Sequence, residues 1–330
     1  RDNYWIFRSL EYPRFQKLIL VLLTLAGWIS VWVAGLETDF IAIGLLAVCC
    51  VYLAYNVFPY TIVASKEVKT IKEASKENAV GVFSANVYQD NRDYNQMLEQ
   101  IRATDPDVIL LLETDQQWQS AMRVLETTHP YTLAEPLDNT YGLLFYSRLP
   151  LEKASVKYLV KNDVPSVDAV IKLRSGIPIR LFGLHPEPPV PGESLKSDAK
   201  DKELMKVAFA VRDEKKPCVV FGDLNDVAWS HTTSLFRRVS QLLDVRCGRG
   251  FYSTFSAKSK IMRFPLDYIF CSHHFGLRHM RRLPYNGSDH FPIFTELVYQ
   301  PQSAAQNAKT NRADQDDLQD AGEMASKRVS

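Results

Sequence analysis

Val219-Val220-Phe221-Gly222-Asp223-Leu224-Asn225 reads as an apolar strand whose C-terminal end delivers a carboxylate and an amide. The same arrangement recurs outward from it. Upstream, Leu181-Phe182-Gly183-Leu184-His185 ends in an imidazole, Val108-Ile109-Leu110-Leu111-Leu112-Glu113 in a carboxylate, and Val82-Phe83-Ser84-Ala85-Asn86 in an amide. Downstream, Asp267 sits at the start of the apolar run Leu266–Phe270, and Gly287-Ser288-Asp289-His290 precedes the last strand. Each alone has an ordinary reading. Asp and Asn are frequent in turns because their side chains bond nearby backbone N–H groups. Glu113 alone reads as a cap for a helix beginning near Asp115, and His185 before Pro186 as a loop residue. Six such edges in one chain read as one rim, where sheet proteins commonly place their sites.

The surrounding pattern supplies the frame. From Val80 onward, short apolar runs alternate with helical stretches. Strands are expected at 80–86, 108–112, 142–147, 167–173, 178–184, 218–222, 266–271 and 293–299. Helices are expected at 93–103, 115–127, 198–213 and 231–241, the first with Asp93 as N-cap and Pro106 soon after its end. Hairpin-like turns such as Ser175-Gly176 join some strands and helices join others, which indicates mixed sheets.

Residues 80–299 are preceded by two uncharged runs, at 18–36 and 40–65, separated by Glu37-Thr38-Asp39. As helices rising about 1.5 Å per residue, each is long enough for a bilayer core of about 30 Å. A soluble helix keeps a polar face, which neither run has. We read residues 18–60 as two transmembrane helices in a tight hairpin, with Pro59 ending the second. Residues 1–17 form an N-terminal flank with Arg1, Arg8, Arg14 and Lys17, and 61–79 a charged linker with Lys66, Lys69, Lys72 and Lys76. The connecting loop has no basic residue, so the positive-inside rule places the globular part in the cytoplasm. Residues 300–330 are polar and free of aromatics, and read as a disordered tail.

Composition narrows little further. A net charge of +1 over 330 residues gives no global argument for a polyanionic partner. Five cysteines without zinc spacing form neither a disulfide framework nor a zinc site. Cys49, Cys50, Cys218 and Cys271 lie in apolar segments, and Cys247 reads as loop-exposed.

The rim residues suit hydrolysis of a phosphate ester. That reaction needs a cation against developing charge, a base or orienter for water, and donors for the phosphoryl oxygens. Glu113 and Asp289 are hard oxygen ligands suited to Mg²⁺ or Mn²⁺. Histidines donate to phosphate or shuttle protons near neutral pH.

In this order the six motifs resemble the endonuclease/exonuclease/phosphatase superfamily, which includes pancreatic deoxyribonuclease, apurinic endonucleases, sphingomyelinases and inositol-phosphate phosphatases. With Trp229-Ser230 and the helical hairpin, the chain resembles a bacterial, inner-membrane-anchored branch. The resemblance implies an α+β fold, a four-layer α/β/β/α sandwich of two packed mixed β-sheets, here preceded by the transmembrane hairpin. It also implies roles. Glu113 is the main metal ligand, with Asn86 beside it and Asp289 as a further metal-side carboxylate. Asp223 orients or deprotonates the attacking water, and Asn225 positions Asp223 and the phosphate. His185 and His290 contact phosphoryl oxygens, and Asp267 accepts from His290. Asp223 and a His290–Asp267 pair both stand as the base. Ala85 departs from the larger residue many relatives carry there, which alters packing rather than ligation.

The implied function is a membrane-anchored phosphodiesterase, of nuclease or phospholipid-headgroup type. Its partners are the bilayer, through residues 18–60, and a nucleic-acid or phospholipid substrate. A phosphomonoesterase is the alternative on the same scaffold, and an inactive tethered binding module is another. Retention of Glu113, Asp223 and His290 weighs against the last. Arg148, Arg237, Arg238, Arg246, Arg249, Arg263, Arg281 and Arg282 are candidate phosphate contacts, and Trp118, Trp229 and Tyr285 candidate base-stacking residues. The proline-rich 186–192 serves equally as a cleft wall or a stiff connector. Nothing points to a protein partner.

Overall fold

The computed structural model describes residues 3–73, 75–302 and 312–329. The chain opens with α1 (Trp5–Ser9), α2 (Arg14–Val33) and α3 (Phe40–Val57). There follow β1 (Ala79–Asn86), α4 (Tyr94–Thr104), β2 (Val108–Leu112), α5 (Gln116–Met122), β3 (Tyr131–Glu135) and β4 (Leu143–Ser147). Next come β5 (Leu151–Lys157), β6 (Ser166–Lys172), β7 (Pro178–Leu184), α6 (Asp198–Arg212), β8 (Cys218–Asp223) and α7 (His231–Ser240). The chain continues through β9 (Leu243–Asp244), β10 (Asp267–Cys271), β11 (Phe275–Arg282) and β12 (Ile293–Tyr299) to α8 (Gln315–Ser326).

Two six-stranded sheets result, ordered β11-β12-β1-β2-β4-β3 and β5-β6-β7-β8-β10-β9. Strand side chains alternate between faces, and the sequence uses both. Val82, Leu110 and Phe145 of the first sheet meet Ala169, Leu181 and Phe221 of the second in one core. The opposite faces carry Phe83, Ile109 and Leu111 under α4 and α5, and Phe182, Val220 and Phe270 under α6 and α7. This is the expected α/β/β/α layering.

Within each sheet only the central pair is parallel, β1 with β2 and β7 with β8. Parallel neighbours end at the same edge, so the tips of these four strands carry Asn86, Glu113, His185 and Asp223.

Every strand expected from sequence is present. β3, β5, β9 and β11 are additions. β5 mixes half-buried and exposed residues throughout and β11 does so beyond Leu277, so neither has the continuous apolar run that marks the buried strands.

Three further readings are corrected. Residues 66–73 are not a loose linker: Val68 is fully buried, and Lys69 and Ile71 exchange backbone hydrogen bonds with Leu277. The tail is in part helical. α8 begins with a capping box at Asp314, buries Ala321 against the α6–α7 layer, and pairs Asp317 with Arg238 and Asp320 with His231. Arg1 and the tail residues 303–311 and 330 lie outside the described residues. Cys247 is buried rather than exposed, and all five cysteines are free.

α2 and α3 pack on each other as a hairpin, with Asp39 capping α3 by accepting from Ile41 and Ala42 N–H. Their apolar stretches stay outside the core: none of the α2 window and 6% of the α3 window is buried. The flank before them is docked. Arg8 donates to Asp201 at 2.9 Å, and Arg14 to the Asn56 side chain at 2.7 Å and to Trp229 O at 2.8 Å.

Candidate active site

Each polar strand tip is set by local backbone chemistry. Glu113 follows β2 in the left-handed region, at φ 60°. Asp115, not Glu113, caps α5, accepting from Gln117 and Trp118 N–H, which leaves Glu113 free to face inward. Thr114 N–H bonds Gly142 O, and a Cβ on Gly142 would lie 1.9 Å from Thr114 O, so only glycine permits this crossing. On the second sheet, Gly222 has φ 126° and a Cβ there would lie 2.2 Å from Leu184 O. Asn225, at φ 49°, donates its backbone N–H to Asp223 Oδ1 at 2.9 Å and its amide to Pro186 O at 3.0 Å. Asp267 pairs directly across from Asp223 in the antiparallel register of β10 and β8. Ser288 Oγ donates to Asn86 O at 2.8 Å and accepts from His290 N–H at 3.0 Å, which brings the 287–290 loop over β1.

The result is one connected set around Asp223. His290 Nδ1 lies 2.8 Å from Asp267 Oδ2, and His290 Nε2 lies 3.5 Å from Asp223 Oδ2. Asn86 Nδ2 donates to Glu113 Oε1 at 2.6 Å and approaches Asp223 Oδ2 at 3.3 Å. His185 Nε2 stands 4.0 Å from the same Asp223 oxygen.

The two histidines differ in charge. Burial opposes the imidazolium at His290, but Asp267 and Asp223 outweigh it and hold its pKa well above the ordinary value. His185 is pushed down to about 3, first by burial and then by the charge of His290, so it is neutral. Burial raises Asp223, against the pull of His290. Burial also raises Glu113 to about 7; the Asn86 amide and His290 oppose the rise and Asp289 adds to it.

These groups floor a cavity of about 500 Å³. Glu113, His185, Asp223, Asn225, Asp289 and His290 line it, while the buried Asn86 and Asp267 act from behind. Pro188, Pro189 and Pro191 form one wall, which resolves the proline loop as a cleft wall. Among the described residues, no lysine or arginine lines the cavity. The candidate arginines go elsewhere. Arg246 is buried against Asp244, Arg237 pairs with Glu67, Arg238 with Asp317 and Arg148 with Asp105. Trp118 and Trp229 are buried in the core layers and so cannot stack bases.

Sequence reading missed the other wall. Trp5, Ser9, Tyr12 and Pro13 line the cavity, and Tyr12 OH donates to Asn225 O at 2.8 Å. Tyr141 and Phe255 were also missed, with rings 5.4 Å from His185 and 5.0 Å from His290. Arg8, Glu11 and Arg14 pair at i,i+3 within this segment, but such pairs are as common on solvent-facing helices and gave no sequence signal for the wall.

A divalent cation fits this donor set. Asp223, Asp267 and His290 place ligand atoms within 4.8 Å of one another. There the charge of His290 already offsets one of the two carboxylates. Glu113 and Asp289 instead face the cavity as hard oxygen donors, in a lining without lysine or arginine. Among the described residues, buried His185 Nδ1 and Asp267 Oδ1 have no hydrogen-bond partner, which leaves the site polar capacity for water, phosphate or an ion.

Residues 83–290 match the model of the Endonuclease/Exonuclease/phosphatase family. No curated protein matches the chain. Among solved structures, D. rerio TDP2 complexed with a single-stranded DNA product is similar with a TM-score of 0.56 at 14% identity, over 66% of this chain and 98% of that one. The Bacteroides thetaiotaomicron mannosyl-6-phosphatase gives 0.54 at 17% identity, over 67% and 100%. The human Nocturnin catalytic domain with bound sulfate gives 0.53 at 16%, over 71% and 98%. At these identities the likeness is one of fold.

Proposed function

Since the chain belongs to the endonuclease/exonuclease/phosphatase family of phosphate-ester hydrolases, we propose that it is a membrane-anchored, divalent-metal-dependent phosphodiesterase. The observation that carries this reading is the Asp267–His290–Asp223 chain facing Glu113 and Asp289 across one cavity. Glu113 and Asp289, with Asn86 holding Glu113, would hold Mg²⁺ or Mn²⁺. When bound, the ion supplies charge neutralisation at the phosphoryl group.

The chain's own residues do the rest. Asp223 accepts the proton of the attacking water, because His290 already carries its own. The Asn225 N–H fixes the other Asp223 oxygen. The imidazolium of His290, held by Asp267, donates toward a phosphoryl oxygen and stabilises the negative charge that builds there. Neutral His185 offers a donor without adding charge. A monoester brings two negative charges and a diester one. The absence of lysine and arginine from the lining favours the diester.

The membrane reading rests on α2 and α3. At 20 and 18 residues they are about 30 and 27 Å long, and their apolar surfaces lie outside the core.

The test uses the full chain in detergent with an aryl phosphodiester. Mg²⁺-dependent hydrolysis is expected, abolished by EDTA and lowered about 100-fold or more by Glu113→Gln. A full rate in EDTA, or in Glu113→Gln, overturns the metal assignment. Release of the chain from membranes by alkaline carbonate overturns the anchor.

A further inference from the structure

The missed cavity wall decides where the substrate comes from. Pro13 lines the cavity, and the apolar run of the adjoining α2 starts at Leu18. Four helical residues separate them, so Leu18 lies about 7.5 Å further along the axis. A headgroup layer spans about 5–8 Å on each side of the hydrocarbon core. With α2 in a bilayer, the mouth of the cavity therefore sits at headgroup depth.

Exposed apolar side chains stand around that mouth, among them Phe7, Leu10, Leu195 and Ile261. α1 buries Arg8 but turns Phe7 (53% exposed) and Leu10 outward. Trp5 N–H bonds Leu195 O at 2.9 Å, placing exposed Leu195 beside α1. Gln16, in the first turn of α2, donates to Ile261 O at 3.0 Å, placing Ile261 (76% exposed) at the base of the hairpin. A rim continuous with two apolar helices is covered by the surface those helices enter. The segment is also rigidly held: Arg8 is buried on Asp201, which accepts from Thr232 at 2.9 Å and neighbours Lys200, itself paired with Asp226.

We propose that the substrate is the headgroup phosphodiester of a membrane lipid, presented by the bilayer that α1, Leu195 and Ile261 rest on. This rests on the hydrolase and anchor readings above. Water oxygen bonds to phosphorus as one P–O ester bond breaks. The leaving oxygen takes up a proton, giving an alcohol and a phosphate monoester, one of which stays in the bilayer. A nucleic acid fits less well, because it calls for basic groove residues, and among the described residues the cavity lining has no lysine or arginine.

The experiment reconstitutes the full chain with Mg²⁺ in vesicles of phosphatidylcholine, phosphatidylethanolamine, phosphatidylglycerol and phosphatidylinositol. It compares them with the deacylated glycerophosphodiesters, a single-stranded oligonucleotide and a soluble aryl phosphodiester. At least one vesicle lipid should be cleaved about tenfold or more faster, in kcat/KM, than its deacylated form. Phe7→Asp and, on a separate loop, Ile261→Asp should each lower lipid cleavage about tenfold while leaving the aryl ester within about twofold. Aryl cleavage without lipid cleavage overturns this inference alone, as does equal cleavage of deacylated forms, preference for the oligonucleotide, or rim variants that depress both substrates alike. No aryl cleavage overturns the hydrolase reading, and this inference with it.

Discussion

His290 and His185 face the same carboxylate oxygen and carry different charges because only His290 has a second carboxylate behind it. In the proposed mechanism Asp267 would act as a positioning residue, and its removal has two readouts. Asp267→Asn should lower kcat on an aryl phosphodiester by about 10²–10⁴-fold. It should also bring the His290 imidazole resonances, followed by NMR, into titration at lower pH. An unchanged titration would show that Asp267 does not hold the proton. Gly222 is the second decisive residue. A side chain there meets Leu184 O at 2.2 Å and requires φ 126° from an L residue. Both ends of that clash are backbone in a parallel ladder. Gly222→Ala should cost about 3 kcal/mol or more in denaturant unfolding, and a loss under about 1 kcal/mol would refute the strain argument.

Among the elements, α6 carries the clearest pH signature. Glu203 is buried and accepts from Ser166 Oγ at 2.6 Å. Burial raises its carboxyl to about 7, opposed by Ser166 and Lys206. The folded state thus keeps a proton that the unfolded chain releases near pH 4.5. That stabilisation is complete below pH 4.5 and lost as pH rises through about 7, by roughly 3 kcal/mol. Glu203→Gln should remove this slope, so that unfolding free energies of variant and wild type diverge in the variant's favour toward pH 8. Parallel curves would place the proton elsewhere. The elements also show what the sequence made legible. Buried strands such as β2 and β8 announce themselves because both faces are apolar, and their polar tips stand out by contrast. Edge strands β5 and β11, wet on one side, read like loops. The tips that form the site were therefore readable, but the Trp5–Pro13 wall was not, because its partners Asp201, Asn225 and Trp229 lie some 190–220 residues away. Contacts at that separation leave no local periodicity.

At the scale of the whole molecule, a hairpin embedded as proposed would return the chain to the side it left, and the basic residues would lie there. Arg8 and Arg14 are spent on buried contacts, so Lys17, Lys66, Lys69, Lys72 and Lys76 carry the topology signal. A reporter fused after residue 300 should be active only as a cytoplasmic type; an extracytoplasmic signal would invert the placement. The order of the two sheets has a last consequence. Read from β11 to β3 and from β5 to β9, both run antiparallel, antiparallel, parallel, antiparallel, antiparallel. One backbone plan is used twice, face to face. In the function proposed above, the half ending in Asn86 and Glu113 would take the cation, and the half ending in His185 and Asp223 the water. Neither half would then be a catalyst by itself, and the activity would exist only where the two sheets meet.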